Sequence, residues 1–216
     1  MIKYLIFICF VCVWLPLSAF SAVEKPDSIA NAIEKKIINF QNSGEPDSAI
    51  LESMNLLNLS RQNNLPAFEA TAYSELGQAY LSKGLMDSSL FYLHKSDVFY
   101  HKIEDTVNRA VANVKIGYIH KSRGVFDKAV RYYRQALDLL ENGRDTFWFG
   151  IASDHLAHIY LETGKYFGAL AHFQDAIEMF KSLGIMVNVG SEYNAMGLIY
   201  RKTKNREKEI GAYLNA

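Results

Sequence analysis

Apolar residues recur along the chain at steps of three and four, first Ala70, Tyr73, Leu76, Tyr80 and Leu81, then Met86, Leu90 and Leu93. Steps of that size line up on one face of a helix, so the stretch predicts two amphipathic helices. Gly84 separates them, because glycine accepts the left-handed backbone of a helix C-terminal cap without a side-chain clash. Shifting the frame by 40 residues returns the same skeleton. Gly77, Tyr80, Gly84 and Met86 become Gly117, His120, Gly124 and Phe126, then Ala157, Tyr160, Gly164 and Tyr166, and lastly Gly197, Tyr200, Lys204 and Arg206. One step backwards reaches Phe40, Gly44 and Pro46. A single unbroken period over five units is the signature of a repeat architecture, and the expected fold is an all-α solenoid.

The small residues Gly77, Gly117, Ala157 and Gly197 share one position of each first helix and let the second helix pack close. Ile37 stands there in the first unit, which predicts a looser crossing. His120 takes an aromatic position and is expected to be a core or boundary histidine. Asp105 and Asp145 suit helix N-caps, and Pro26, Pro46 and Pro66 stand where a missing amide costs nothing. These marks delimit one repeat domain over residues 24–216, with units near 27–65, 66–105, 106–145, 146–185 and an incomplete 186–216. Ile210, Tyr213 and Leu214 are expected on an uncovered face at its end, as in an array that continues.

The first 21 residues have one lysine, an apolar run from Tyr4 to Leu17, a break at Pro16 and small residues at Ala19 and Ser21. That is the layout of a secretory signal peptide cut near residues 21–22, and it predicts an exported, periplasmic or envelope-associated protein. The alternative is an uncleaved N-terminal anchor. Cys9 and Cys12 both lie in that leader, so the mature chain is held by packing without disulfides. Lys plus Arg equals Asp plus Glu at 23 each, with no basic stripe that would suggest nucleic acid.

Tyr73-x-x-Leu76-Gly77-x-x-Tyr80, Ile116-Gly117 with Ala129, Tyr133 and Ala136, and Leu156-Ala157-x-x-Tyr160 with Ala169, Phe173 and Ala176 resemble the tetratricopeptide repeat. Met196-Gly197-x-x-Tyr200 completes the set. The resemblance implies a right-handed superhelical solenoid of about five helix-turn-helix repeats, longer than the usual repeat of about 34 residues. The longer variety is similar to arrays found ahead of the membrane span in bacterial sensor kinases and regulators. The resemblance further implies a concave groove lined by first helices, here with Ser74, Gln78, Val114, Tyr118, Lys121, Asp154, His158, Glu162, Asn194 and Arg201 as candidate ligand-binding residues. Their mixed polarity suits a protein or peptide segment. The lysine and asparagine set that family members use to clamp a terminal carboxylate is missing.

Asp154, His158 and Glu162 follow i, i+4, i+8 on one helix, with His155 beside them. Such a set is either a metal or acid–base site or a polar stripe on a groove helix. Two ligands from one helix need a third from a neighbour, and the adjacent groove positions offer Tyr118, Ser122 and Asn194, so the polar stripe is preferred and no metal or cofactor is expected. Phe147-Trp148-Phe149 is the aromatic cluster outside the skeleton, expected to pack, with Trp148 the most exposed of the three. No phosphate-cradling loop, mature-chain cysteine nucleophile or serine motif points to an enzyme. The expected function is an exported protein-binding scaffold, the sensory N-terminal region of an envelope regulator with a membrane-anchored continuation beyond Ala216. The alternative is a standalone periplasmic assembly or structural factor.

Overall fold

A computed structural model describes residues 25–141 and 145–216. The expected leader and its cleavage site lie outside the described residues. The described chain forms α1 (Pro26–Asn42), α2 (Pro46–Gln62), α3 (Pro66–Ser82), α4 (Met86–Lys102) and α5 (Thr106–Ser122), followed by α6 (Phe126–Leu140), α7 (Thr146–Glu162), α8 (Tyr166–Ser182), α9 (Met186–Lys202) and α10 (Arg206–Leu214). Among the described residues there is no strand. Successive helices pack as antiparallel neighbours, and the first helices of adjoining units also touch, α1 with α3 and α5 with α7.

A finer period underlies the expected one. A helix of 17 residues and a link of three repeat together, so the same turn joins helices within a unit and between units. At each described link one residue has positive φ: Gly44, Gly84, Gly124, Gly164 and Gly184, but also Asn64, Glu104 and Lys204. At the link after α3 the Leu85 amide donates to the Tyr80 carbonyl at 2.9 Å and the Gly84 amide to Leu81 at 2.8 Å. This pair of bonds satisfies carbonyls that the helix end would otherwise leave open. Glu104 and Lys204 make the same turn with a Cβ, at φ 58° and 59°. At the opposite ends, Pro26, Pro46 and Pro66 open α1, α2 and α3. Asp105 accepts a hydrogen bond from the Asn108 amide and Asp145 from the Trp148 amide, each at 3.0 Å.

Packing follows a rule of one small and one large residue. A Cβ built on Gly77 would lie 2.6 Å from Leu93 Cγ, one on Gly117 2.9 Å from the Tyr133 ring, and one on Gly197 2.6 Å from the Tyr213 ring. Ala157 and Phe173 hold the same register in the fourth unit, both fully buried. The first unit swaps the sizes: Ile37 is matched in register by Ser53, and both are fully buried. Bulk thus changes sides there, in place of the looser crossing expected from Ile37. His120 is nearly buried and stacks on Tyr132 with 5.5 Å between ring centroids. Ile210, Tyr213 and Leu214 of α10 are exposed. Among the described residues no helix is long and apolar enough to cross a membrane.

Two stability predictions follow from this geometry. Gly117→Leu should lower stability by about 1–3 kcal/mol through overpacking against Tyr133, a fall of several degrees in a thermal melt; an unchanged midpoint would contradict the register. Glu104→Gly should act in the opposite direction. It removes the cost of a Cβ in a left-handed turn and adds back some unfolded-state entropy, for a net gain of about 0.5–1 kcal/mol in denaturant unfolding.

Candidate functional site

The first helices α3, α5 and α7 enclose a hollow of about 180 Å³ lined by Gln78, Leu81, Val114, Lys115, Tyr118, Trp148, Ile151 and His155. Of the candidate groove residues, Gln78, Val114 and Tyr118 meet here, and Tyr118 is 43% exposed. Ser74 is buried and therefore not offered to a ligand as the sequence pattern suggested. Asn194 and Glu162 are exposed outside this hollow. Arg201 lines a separate depression with Arg206, Glu209 and Tyr213. The aromatic cluster is arranged differently from expectation: Phe147 is the exposed ring, at 40%, while the half-buried Trp148 stacks edge-on against it and walls the groove hollow. Trp148 lies in the first turn of α7, its amide donating to Asp145, and its ring lines the hollow with residues of α3 and α5 that shield one side of it.

A larger depression of about 680 Å³ lies at the turns between α7 and α8 and between α9 and α10, walled by Tyr166, Phe167, Leu170 and Tyr200. Its polar lining is Lys165, Lys208, Thr203 and Asn205, with no carboxylate or imidazole among them. Convergent polar chemistry is instead found in the groove, next to the smaller hollow.

There Asp154 holds two imidazoles. His158 Nε2 is 3.1 Å from its Oδ1, and His155 Nδ1 is 3.2 Å from its Oδ2. His155 in turn lies between the rings of Tyr118 and Tyr133, with centroids at 5.9 and 5.4 Å. Glu192, reaching over from α9, completes a trio with Asp154 and His158 in which one ligand-type atom from each lies within 4.8 Å of the others. Glu192 is only 2% exposed, and its Oε2 has no hydrogen-bond partner. Asp154 Oδ1 and His155 Nδ1 are likewise buried without an aligned hydrogen bond; they stand at ion-pair distance only.

Charge is divided unequally in this cluster. Burial, then the neighbouring Asp154 charge, pushes the Glu192 carboxyl up to about 9, with Lys121 partly opposing. Burial also works against the charge of Asp154, but the two imidazoles outweigh it and hold that carboxyl well below its usual range. Asp154 is therefore the anion and Glu192 the protonated partner near neutral pH.

Residues 108–182 match the family model described as tetratricopeptide repeat. This stretch is built of tetratricopeptide repeats. A search among curated proteins found no match to the chain. Among solved structures, BtubC (BKLC) from P. vanneervenii is similar at 15% identity and TM-score 0.75, over 87% of this chain and 77% of that one. MamA is similar at 19% identity and TM-score 0.62, over 82% of this chain and 90% of that one. A signal transduction ATPase with numerous domains and a tetratricopeptide repeat sensor, from Pyrococcus horikoshii, is similar at 18% identity and TM-score 0.76. That match covers 89% of this chain and 30% of the other. These likenesses support the fold, a tetratricopeptide-repeat scaffold of the kind that generally mediates protein–protein interaction.

In tetratricopeptide register, Glu192 is the residue that helix-face reasoning passed over. Its counterparts in the three preceding units are Ala72, Ala112 and Ala152, all fully buried. A carboxylate at a repeated buried alanine position was the available signal, visible once the units are laid over each other.

The divided charge has a pH consequence. Between the ordinary glutamate value of 4.5 and about 9, the folded chain keeps a Glu192 proton that the unfolded chain has released. Stability therefore falls as pH rises through that window, by at most about 1.4 kcal/mol per pH unit. Asp154 acts in the other direction: its contribution is present above 3.8 and lost as pH falls through its depressed value. Glu192→Gln should melt higher than the parent in chelator-treated buffer, by a margin that widens from about pH 5 to about pH 9. A margin independent of pH would refute this account of the site.

Proposed function

We propose that this chain is an exported binding scaffold that receives a segment of another protein along its concave face, and that it is the sensory part of an envelope signalling regulator. The observation that carries the binding reading is the hollow of about 180 Å³ spanning three successive first helices, walled by Leu81, Val114, Trp148 and Ile151 with Gln78, Tyr118 and His155 among them. That volume is below the roughly 300–1,000 Å³ typical of small-molecule pockets, and fits one bulky side chain of a bound segment. Exposed aromatic rings beside adaptable polar groups suit such an anchor, since they bury much area with few rotatable bonds to freeze.

The sensory reading draws on the apolar leader at residues 1–21 and on the Pyrococcus horikoshii protein, in which a tetratricopeptide repeat array is named as the sensor. An envelope partner would then change the output of whatever this array is joined to.

A photoreactive residue placed at Tyr118 should crosslink a discrete protein partner in intact cells, whereas the same group at Phe91, exposed on the second helix α4, should not. Equal crosslinking at both positions, or none at Tyr118, would count against the groove as the binding face. Cell fractionation of the crosslinked product separates the two roles: a large membrane-fraction species supports a sensor, and a small soluble envelope species a standalone assembly factor.

A further inference from the structure

We infer that Asp154, His158 and Glu192 form a binding site for one divalent transition-metal ion of the zinc type, set between α7 and α9. Asp154 and His158 project from consecutive turns of α7, the i, i+4 spacing at which one helix can offer two ligands to one ion. The third ligand comes from α9, as a site of this kind requires. His158 Nε2 and Asp154 Oδ1 are 3.1 Å apart, close to the roughly 3.3 Å expected of two ligands bonded tetrahedrally at ~2.0 Å. The three donor atoms already lie within 4.8 Å of one another, so small side-chain rotations bring them onto an ion.

The orphaned atoms point to the same conclusion. Glu192 Oε2 is buried with no hydrogen-bond partner, a state that native interiors rarely leave uncompensated, and Asp154 Oδ1 faces His158 Nε2 at 3.1 Å without an aligned hydrogen bond. A cation between them would satisfy both at once. His155, on the other carboxylate oxygen of Asp154 at 3.2 Å, occupies the place of an outer partner that fixes a ligand's orientation.

The donor set also selects the ion. Two carboxylates and one imidazole disfavour magnesium and calcium, which prefer all-oxygen shells, and suit zinc and its neighbours in the first row. Binding releases the Glu192 proton to solvent, and the two carboxylates then balance a doubly charged ion; Lys121 on α5 is the nearby cation that competes for Glu192. Three protein ligands leave a fourth position, and His158, the most exposed of the trio, sets the side on which it opens. An acidic or imidazole side chain of a bound protein could complete the shell from there.

The test is titration of the tag-free chain, first stripped with a chelator, with zinc alone against a competing chromophoric chelator. One ion should bind per chain at micromolar or lower concentration, and the thermal midpoint should rise with added zinc. Glu192→Gln and His158→Gln should each weaken binding about tenfold or more while still unfolding cooperatively in chelator, Glu192→Gln with a midpoint above the parent's. Asp154→Asn provides an independent check, should either of those variants fold poorly. Absence of stoichiometric binding at micromolar zinc would overturn the inference. So would binding that the folded variants leave unchanged, because the ion would then sit on other histidines.

Discussion

Every helix pair in this array depends on how closely two backbones approach at one crossing. Where Gly77, Gly117 and Gly197 lack a side chain, Leu93, Tyr133 and Tyr213 fill the space against the opposing backbone. Ser89 exploits the same proximity, its hydroxyl donating to the Gly77 carbonyl at 2.7 Å across the interface. Close approach is favourable because dispersion contacts and apolar burial are densest there, and it tolerates no added volume. Once the second helix occupies one side of the first, the neighbouring unit's helices cover another. The remaining stripe of each first helix is then left to face the groove. The proposed binding surface and the core are thus two faces of the same element, and the small–large contact sets both.

The turn supplies the other half of the constraint. A three-residue link with one left-handed residue and two capping hydrogen bonds returns the chain antiparallel after each 17-residue helix. The 40-residue repeat was legible in the sequence because Gly44, Gly84, Gly124 and Gly164 mark every second link. The 20-residue repeat was not, because at the alternate links Asn64 and Glu104 adopt the same conformation without the glycine that advertises it, and among the described alternate links Gly184 alone carries one. Tertiary packing of both flanking helices holds those residues in place against their local preference. The helix caps at Asp105 and Asp145 could be read from sequence for the converse reason: their function is local, a side-chain oxygen reaching an amide three residues on.

The groove residues were only partly legible. Asp154, His158 and His155 stand out as a polar set on a helical wheel, and the structure does bring them together. Glu162 belongs to the same wheel, yet lies one turn beyond and points to solvent. The residue that joins the set is Glu192, on a different helix, and no single-helix periodicity can reveal a contact between units. Likewise Trp148 looked like a candidate for exposure when judged by its neighbours, because the residues beside it in the hollow, Gln78 and Leu81 of α3 and Val114 and Tyr118 of α5, are distant in sequence.

In a repeat protein, equivalent positions in each unit perform the same packing task, so a departure at a buried position needs a cause of its own. Alanine at positions 72, 112 and 152 meets the requirement for close packing without any polar group to satisfy. Glutamate at 192 adds a carboxyl that burial penalises, beside an aspartate that penalises its charge further. Breaking the repeat rule there contributes nothing that alanine would not provide to the fold, and an unsatisfied buried polar group costs about 1–3 kcal/mol. Its two partners occur together only at this junction: the counterparts of Asp154 are Glu34, Ser74, Val114 and Asn194, and those of His158 are Ile38, Gln78, Tyr118 and Leu198. One departure at a repeated alanine position, meeting within 4.8 Å an aspartate–histidine pair that no other unit carries, is what the proposed site adds to the scaffold.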